Sequence, residues 1–327
     1  MKIAIYQTIV GGGGGIDTVL FTLLKKLAKD DVTVFCQSNM IKLNVKTRQL
    51  LPFRLPFFGI YQNLLNISTP KEFAKFDQIY ILSGSMVINK SGKPAKYLNS
   101  NNFGLSVGGK YKSGLWRLYY IPFLILMKRF KNKIKESDME FVSNSRYTAE
   151  KLEDDFGVKS TVKYLTIDPA EFHSESTKSG VLTLSRFSPE KNMEFAINVF
   201  AGIGSPLCKI YANLSAANKP YYNRIIQKNT SVFLNQKRDV IIDALARAKV
   251  YFHPCEETFG LAVVEAMASG CIPIVPGNSA HIETVPFPEL WYYPDSLNHA
   301  IQKISEALDG KYDYLLPKLK LHVRNFI

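Results

Sequence analysis

"VYFHPCEETFGLAVVEAMASGCIPIVP", Val250–Pro276, reads as a strand, a loop, a helix and a second strand. The runs 250–254 and 271–276 are apolar and β-branched without polar alternation, as in strands buried on both faces. The segment between them, with helical pattern over 260–269, is long enough to carry the chain back for a parallel neighbour. One carboxylate, Glu265, sits inside this apolar helix. A buried carboxylate is costly without a partner, so it requires a ligand or a nearby cation.

The same alternation runs outward along most of the chain. Strand candidates are 2–7, 32–37, 78–84, 95–100, 139–145, 181–186, 208–212, 231–235, 250–254 and 271–276; helical patterns fall near 16–29, 114–136, 146–155, 191–202, 237–248, 260–269 and 296–309. The prediction is an α/β protein of two Rossmann-like, doubly wound parallel-sheet domains facing a cleft, with ligands at the carboxyl ends of the strands. A length of 327 residues suits two cores better than one. The polar stretch "YLTIDPAEFHSESTKSG", 164–180, is expected to be the linker, giving domains 1–165 and 166–327.

Hydrophobic residues at 46% and charged residues at 21% fit a globular protein and exclude a disordered one. Four scattered cysteines without a C-x-x-C pair point to a reduced, cytoplasmic setting. The N-terminal run "IAIYQTIVGGGGG" lacks the features of a signal peptide, so the chain is expected to be mature from Met1. "LYYIPFLILM", 118–127, is about half the ~20 residues of a membrane span, so no transmembrane helix is expected.

The net charge of +13 divides unevenly: residues 1–165 carry 25 Lys/Arg against 12 Asp/Glu, whereas 166–327 carry 16 of each. The first half therefore suits a polyanion or an anionic membrane surface, or presents a solvated basic face. Within it, 113–135 mixes Trp116, Tyr119, Tyr120 and Phe123 with Arg117, Lys128, Arg129, Lys131, Lys133 and Lys135. That composition suits an interfacial helix on anionic lipid, or a core helix with a basic C-terminal end. Nucleic acid is not expected, because the aromatics form no stacking platform.

Two motifs carry chemistry. After the strand 250–254, the loop "CEETFG" opens a helix, so the amides of Phe259, Gly260 and Leu261 face the cleft with the positive end of the helix dipole. An anion belongs there. Glu265, a turn and a half further on, can accept hydrogen bonds from ribose hydroxyls or form a buried ion pair. In "SRFSPEKN", Arg186 ends a strand and Lys191 begins the next helix, a diphosphate clamp or else a solvated surface pair. "GGGGG", 11–15, lacks G-K-[ST] and is no Walker loop. Asp17 after it either contacts acceptor hydroxyls or favours the helix N-terminus. With no D-x-D and no His/Cys cluster in view, no metal is expected. Cys255 has no cation near it in sequence to activate it as a nucleophile.

The segment 252–283, "FHPCEETFGLAVVEAMASGCIPIVPGNSAHIE", resembles the E-x7-E signature of retaining glycosyltransferases of the family-four, GT-B type. "LSRFSPEKNMEFAINVF", 184–200, resembles their strand-Arg-x4-Lys-helix element, and the likeness extends to 141–158, to the N-terminal strand and Gly loop, and more loosely to 233–254. The resemblance implies that Glu257 reaches the donor sugar's hydroxyls and that Glu265 holds the ribose. It implies that Arg186 and Lys191, helped by the amides after Thr258, stabilise the leaving diphosphate without a metal or other cofactor. It also puts Gly14 and Gly15 near the donor phosphates and acceptor.

Two departures stand out. Asn99, in "KYLNSNNFG", occupies the place of a His that contacts the donor sugar in many relatives; an amide can hydrogen-bond but carries no proton at neutral pH. The chain ends at "LHVRNFI", about where relatives begin a helix returning to the first domain. The expectation is a transferase moving a sugar from a nucleoside-diphosphate-sugar donor to a glycan or lipid-linked acceptor at the cytosolic face of a membrane. The alternative is a non-catalytic nucleotide-sugar-binding subunit of a glycosyltransferase complex. An epimerase of nucleotide sugars is disfavoured, because no acid/base pair is evident.

Overall fold

The structure is a computed structural model that describes residues 1–11, 15–50, 71–82, 87–100, 114–204, 208–226 and 231–327. It divides into two compact units, Met1–Tyr164 and Leu165–Ile327.

In the first unit the elements run β1 (Lys2–Val10), α1 (Gly15–Lys26), β2 (Asp31–Asn39), β3 (Lys46–Gln49), β4 (Gln78–Leu82), β5 (Ala95–Asn99), α2 (Leu115–Lys135), β6 (Glu140–Ser143), α3 (Arg146–Phe156) and β7 (Thr161–Val162). The seven strands form one sheet in the order β3-β2-β1-β4-β5-β6-β7, and every pairing is parallel. Alternate residues of β1 supply two cores: Ala4 and Tyr6 join one cluster, Ile3 and Ile5 the other. Both faces are therefore buried, which is why the strand reads as an unbroken apolar run.

The second unit continues with β8 (Val181–Arg186), α4 (Met193–Ile203), β9 (Cys208–Asn213), α5 (Lys219–Ile225), β10 (Ser231–Leu234), α6 (Arg238–Arg247), β11 (Val250–Phe252), α7 (Leu261–Ala268), β12 (Ile272–Pro276), α8 (His281–Thr284), β13 (Trp291–Tyr292), α9 (Leu297–Leu308) and α10 (Leu316–Val323). Its sheet order is β10-β9-β8-β11-β12-β13, again all parallel. Each sheet winds outward from its first strand in one direction and then in the other. The reversal falls between β1 and β4 in the first and between β8 and β11 in the second, the switch points where doubly wound sheets bind ligands.

The strands not anticipated from sequence are β3, whose four residues are all exposed, and the two-residue β7 and β13. The polar stretch expected to be a linker is instead fastened to the second unit. The Ile167 amide donates to the Phe326 carbonyl at 2.8 Å and that of Glu175 to Ala246 at 3.1 Å. Lys178 Nζ donates to the carbonyls of Leu245 and Ser269 at 3.2 and 2.8 Å, capping the C-terminal ends of α6 and α7.

Candidate functional site

β8 and β11 are adjacent and parallel, so the turn after one and the loop after the other emerge at the same end of the sheet. Residues 66 apart in sequence meet there: Lys191 Nζ donates to Glu257 Oε1, and both side chains are about four-fifths buried. Asn192, in the left-handed conformation at φ +49°, donates from Nδ2 to the Pro254 carbonyl at 3.3 Å and stitches the two loops together. Arg186, the last residue of β8, is about half exposed and lies 3.6 Å from Glu190 on its own turn. Such a surface pair contributes little and leaves the guanidinium available.

Around Glu257 the chain builds a linked set of polar groups. Its amide donates to Ser279 Oγ at 3.2 Å, and its Oε1 lies 3.4 Å from His253 Nε2. Burial opposes the Glu257 charge, but His253 and Lys191 outweigh it and hold the carboxyl well below the usual carboxylate range. Burial likewise opposes protonation of His253, yet the Cys255 sulfur and the Glu257 carboxylate push it up to about 9.

His281 is fully buried; its Nε2 donates to the Cys255 carbonyl at 3.1 Å. Burial, and then the neighbouring His253 charge, push it down to about 3, so the ring is neutral. It packs under Gly260. At φ +84° a side chain there is strained, and a Cβ would lie 3.1 Å from His281 Cε1. Helix α7 starts at Leu261 without a side-chain cap. The Val263 and Val264 amides turn back to the Gly260 carbonyl at 2.9 and 3.3 Å, while those of Gly260 and Leu261 have no acceptor among the described residues. The Phe259 ring is buried and meets Phe326, just beyond α10, edge-on at 5.6 Å. Half-buried Thr258 lies between Phe259 and Glu257 in the loop. An anion-sized ligand at the α7 N-terminus would thus find free amides beside a cation.

Glu265 has a cation: Arg238 Nη2, at the start of α6, donates to its Oε1 at 2.8 Å. The same guanidinium lies 3.3 Å from Glu171 and 5.3 Å from the centre of the Phe172 ring. Sequence reasoning offered an ion pair as one answer for Glu265 but did not identify Arg238, which is 27 residues away. It also saw no His/Cys cluster and no cation beside Cys255. Neither statement holds in three dimensions, where Cys255 Sγ lies 3.6 Å from His253 Nε2 and Glu257 completes the group.

The residues singled out in the first unit are engaged within it. Asp17 is buried, and its Oδ1 accepts from Gln7 Nε2 at 2.7 Å and from the Gly11 amide at 3.1 Å. Asn99 is buried, and its Nδ2 donates to Ser143 Oγ at 3.2 Å and to the Thr148 carbonyl at 3.3 Å, while Oδ1 has no partner among the described residues. Gly15 is the exposed first residue of α1. Gly14, Ser113 and the side chains of Trp116 and Arg117 lie outside the described residues.

Residues 166–313, nearly all of the second unit, match the family described as glycosyl transferases group 1. This second domain belongs to the group 1 glycosyl transferases. These enzymes move a sugar from a nucleotide-sugar donor. Solved structures place this transferase in the same two-domain GT-B fold. HepE of Anabaena, in complex with UDP and glucose, matches with a TM-score of 0.76 at 13% identity over 100% of this chain and 95% of that one. Sucrose-phosphate synthase of Thermosynechococcus elongatus gives 0.74 at 15% identity over 99% and 94%. WaaG, a glycosyltransferase involved in lipopolysaccharide biosynthesis, gives 0.68 at 13% over 99% and 93%. Identities this low establish likeness of fold alone. Among curated proteins no sequence matches the chain.

Proposed function

We propose that this transferase retains the configuration of the transferred sugar, takes it from a nucleoside-diphosphate donor held by the second domain, and delivers it to a glycan or lipid-linked acceptor received by the first. The observation that carries the reading is the contact of Lys191 with Glu257 beside the free amides of Gly260 and Leu261. As the sugar bond breaks, negative charge collects on the diphosphate. Fixed donors and cations aimed at that charge lower the barrier. Lys191, Arg186 and the two amides supply them without a metal. In the free protein Glu257 holds the Lys191 ammonium; a bound diphosphate competes for it and releases the carboxylate toward the sugar hydroxyls. Arg238 takes one oxygen of Glu265, and no partner among the described residues engages the other, which is left for the ribose.

The membrane reading rests on α2. Phe123, Met127, Phe130 and Ile134 recur at helical spacing and are buried against the first core. On the outward side Leu118, Ile121, Leu124 and Ile125 are exposed, followed by exposed Lys128, Arg129, Lys133 and Lys135. An apolar patch continued by a row of cations suits the surface of an anionic bilayer. No helix among the described residues is long and apolar enough to cross a membrane. The acceptor is then a lipid-linked glycan or phospholipid at that surface.

Calorimetric titration of UDP, GDP, ADP and NAD, with Glu265→Ala and Arg186→Ala alongside, tests the donor site. UDP leads, since HepE of Anabaena was crystallised with it. One diphosphate is expected to bind, more weakly in both variants; binding of none removes the reading. A second reading, a nucleotide-sugar-binding subunit without transfer, is favoured by Asn99, whose amide is committed to Ser143 and Thr148. Turnover of a labelled donor by this chain alone rejects it.

A further inference from the structure

We infer that His253, Cys255 and Glu257 form a site for a borderline-soft divalent ion of the Zn²⁺ type, which on binding withholds Glu257 from the donor sugar and inhibits transfer. The inhibition rests on the role proposed for Glu257; the binding does not.

The three residues alternate along the loop that leaves β11, and one ligand atom from each lies within 4.8 Å of the other two. His253 Nε2 is 3.6 Å from Cys255 Sγ and 3.4 Å from Glu257 Oε1. A tetrahedral ion with bonds of about 2.0–2.3 Å spans ligand atoms roughly 3.3–3.6 Å apart, so two edges of the tetrahedron are already in place. The third, between sulfur and carboxylate, belongs to two partly exposed side chains that can adjust.

The ring is also held with the correct nitrogen forward. The Tyr251 hydroxyl has one proton, which it donates to the Leu184 carbonyl at 3.1 Å. Toward His253 Nδ1, 3.2 Å away, it can therefore only accept. Nδ1 keeps its hydrogen, so the ion displaces the proton on Nε2, and that nitrogen then offers its lone pair to the metal. This is the outer-shell arrangement that fixes metal-bound histidines. Sulfur, imidazole and carboxylate together select Zn²⁺-like ions over Mg²⁺ or Ca²⁺, which take oxygen ligands. Lys191 now holds Glu257 Oε1, and the ion displaces it; solvent fills the fourth position. Of the four cysteines, Cys36, Cys208 and Cys271 are buried, and only Cys255 is partly open.

Cobalt(II) added to the purified full chain tests the site, since a Co²⁺–thiolate bond gives a charge-transfer absorption band. One equivalent is expected to produce the band and to be displaced by Zn²⁺. Cys255→Ser should abolish the band and weaken Zn²⁺ binding by about 100-fold or more; Tyr251→Phe should keep the band and weaken binding about 10–100-fold. Absence of the band in the wild type, or a band unchanged in Cys255→Ser, overturns the site, with thermal melts showing that each variant is folded. UDP titration of the same samples separates the two readings: cobalt binding without UDP binding leaves the metal site and removes the donor site. If UDP binds, Zn²⁺ is expected to stop transfer in the wild type, and transfer undiminished at saturating Zn²⁺ overturns the inhibition.

Discussion

The two domains take their strands through the same walk, outward from the first strand to one edge and then to the other, yet what stands at the strand ends differs. In the first, Asp17 and Asn99 hydrogen-bond to Gln7, Gly11, Ser143 and Thr148, fastening neighbouring elements to one another. In the second, Lys191, Glu257 and His253 gather at one switch point beside two amides with no acceptor among the described residues, and Arg238 of α6 pairs with Glu265 of α7. The sheet sets where a ligand can bind; the side chains at the strand ends set whether one does. The excess positive charge lies in the first domain, where α2 turns an apolar and basic face outward.

The largest expected effect lies at Lys191. Lys191→Ala is predicted to lower turnover about 10²–10³-fold, the usual loss when one preorganised stabilising group is removed. The melting temperature should change far less, because His253 still faces Glu257. A collapse of stability with turnover per folded molecule intact would make the pair structural. Next comes Arg238→Ala, which strands the Glu265 carboxylate in an apolar helix and should cost about 1–3 kcal/mol of unfolding free energy. Denaturant melts should find Arg238→Ala in Glu265→Gln milder than in the wild type, as a double-mutant cycle of coupled partners requires.

Gly260→Ala forces a side chain into the left-handed region against His281, at about 1–3 kcal/mol. The melting point should fall by several degrees, at roughly 2–4 °C per kcal/mol, and UDP binding should weaken with it. A variant that melts as the wild type would mean that the α7 N-terminus is less fixed than the structure has it. The smallest effect belongs to the first domain. Lys128→Ala and Arg129→Ala should each weaken binding to vesicles containing anionic phospholipid by about 1 kcal/mol, roughly fivefold, and leave UDP affinity unchanged. Unaltered vesicle binding would return α2 to the role of a core helix with a solvated basic end.

The parallel-sheet plan was legible in the sequence because strands buried on both faces are long apolar runs: all ten runs read as strands are strands. The three that escaped have four, two and two residues, too few for composition to register. Helix α10 also escaped, although Phe326 just beyond it packs on Phe259 in the site loop. The polar stretch 164–180 looked like a linker because its side chains face solvent, while its backbone amides and Lys178 bond to the second domain. Glu265 could be recognised as needing a partner, but contact with Arg238 is set by the packing of α6 beside α7, which no local pattern records. The group of His253, Cys255 and Glu257 had a signal: three ligand-type residues at alternate positions after a strand. That spacing matches neither a paired-cysteine nor a D-x-D metal signature, and the approach of the three side chains is set by the fold of the loop after β11.

The most direct test of the contrast between the domains is the affinity of the full chain for UDP in Lys191→Ala compared with Asp17→Ala. The account predicts that Lys191→Ala weakens binding at least tenfold, about 1.4 kcal/mol, while Asp17→Ala, in a folded protein, leaves it unchanged. An unaltered affinity in Lys191→Ala, or an equal loss in both, would contradict it.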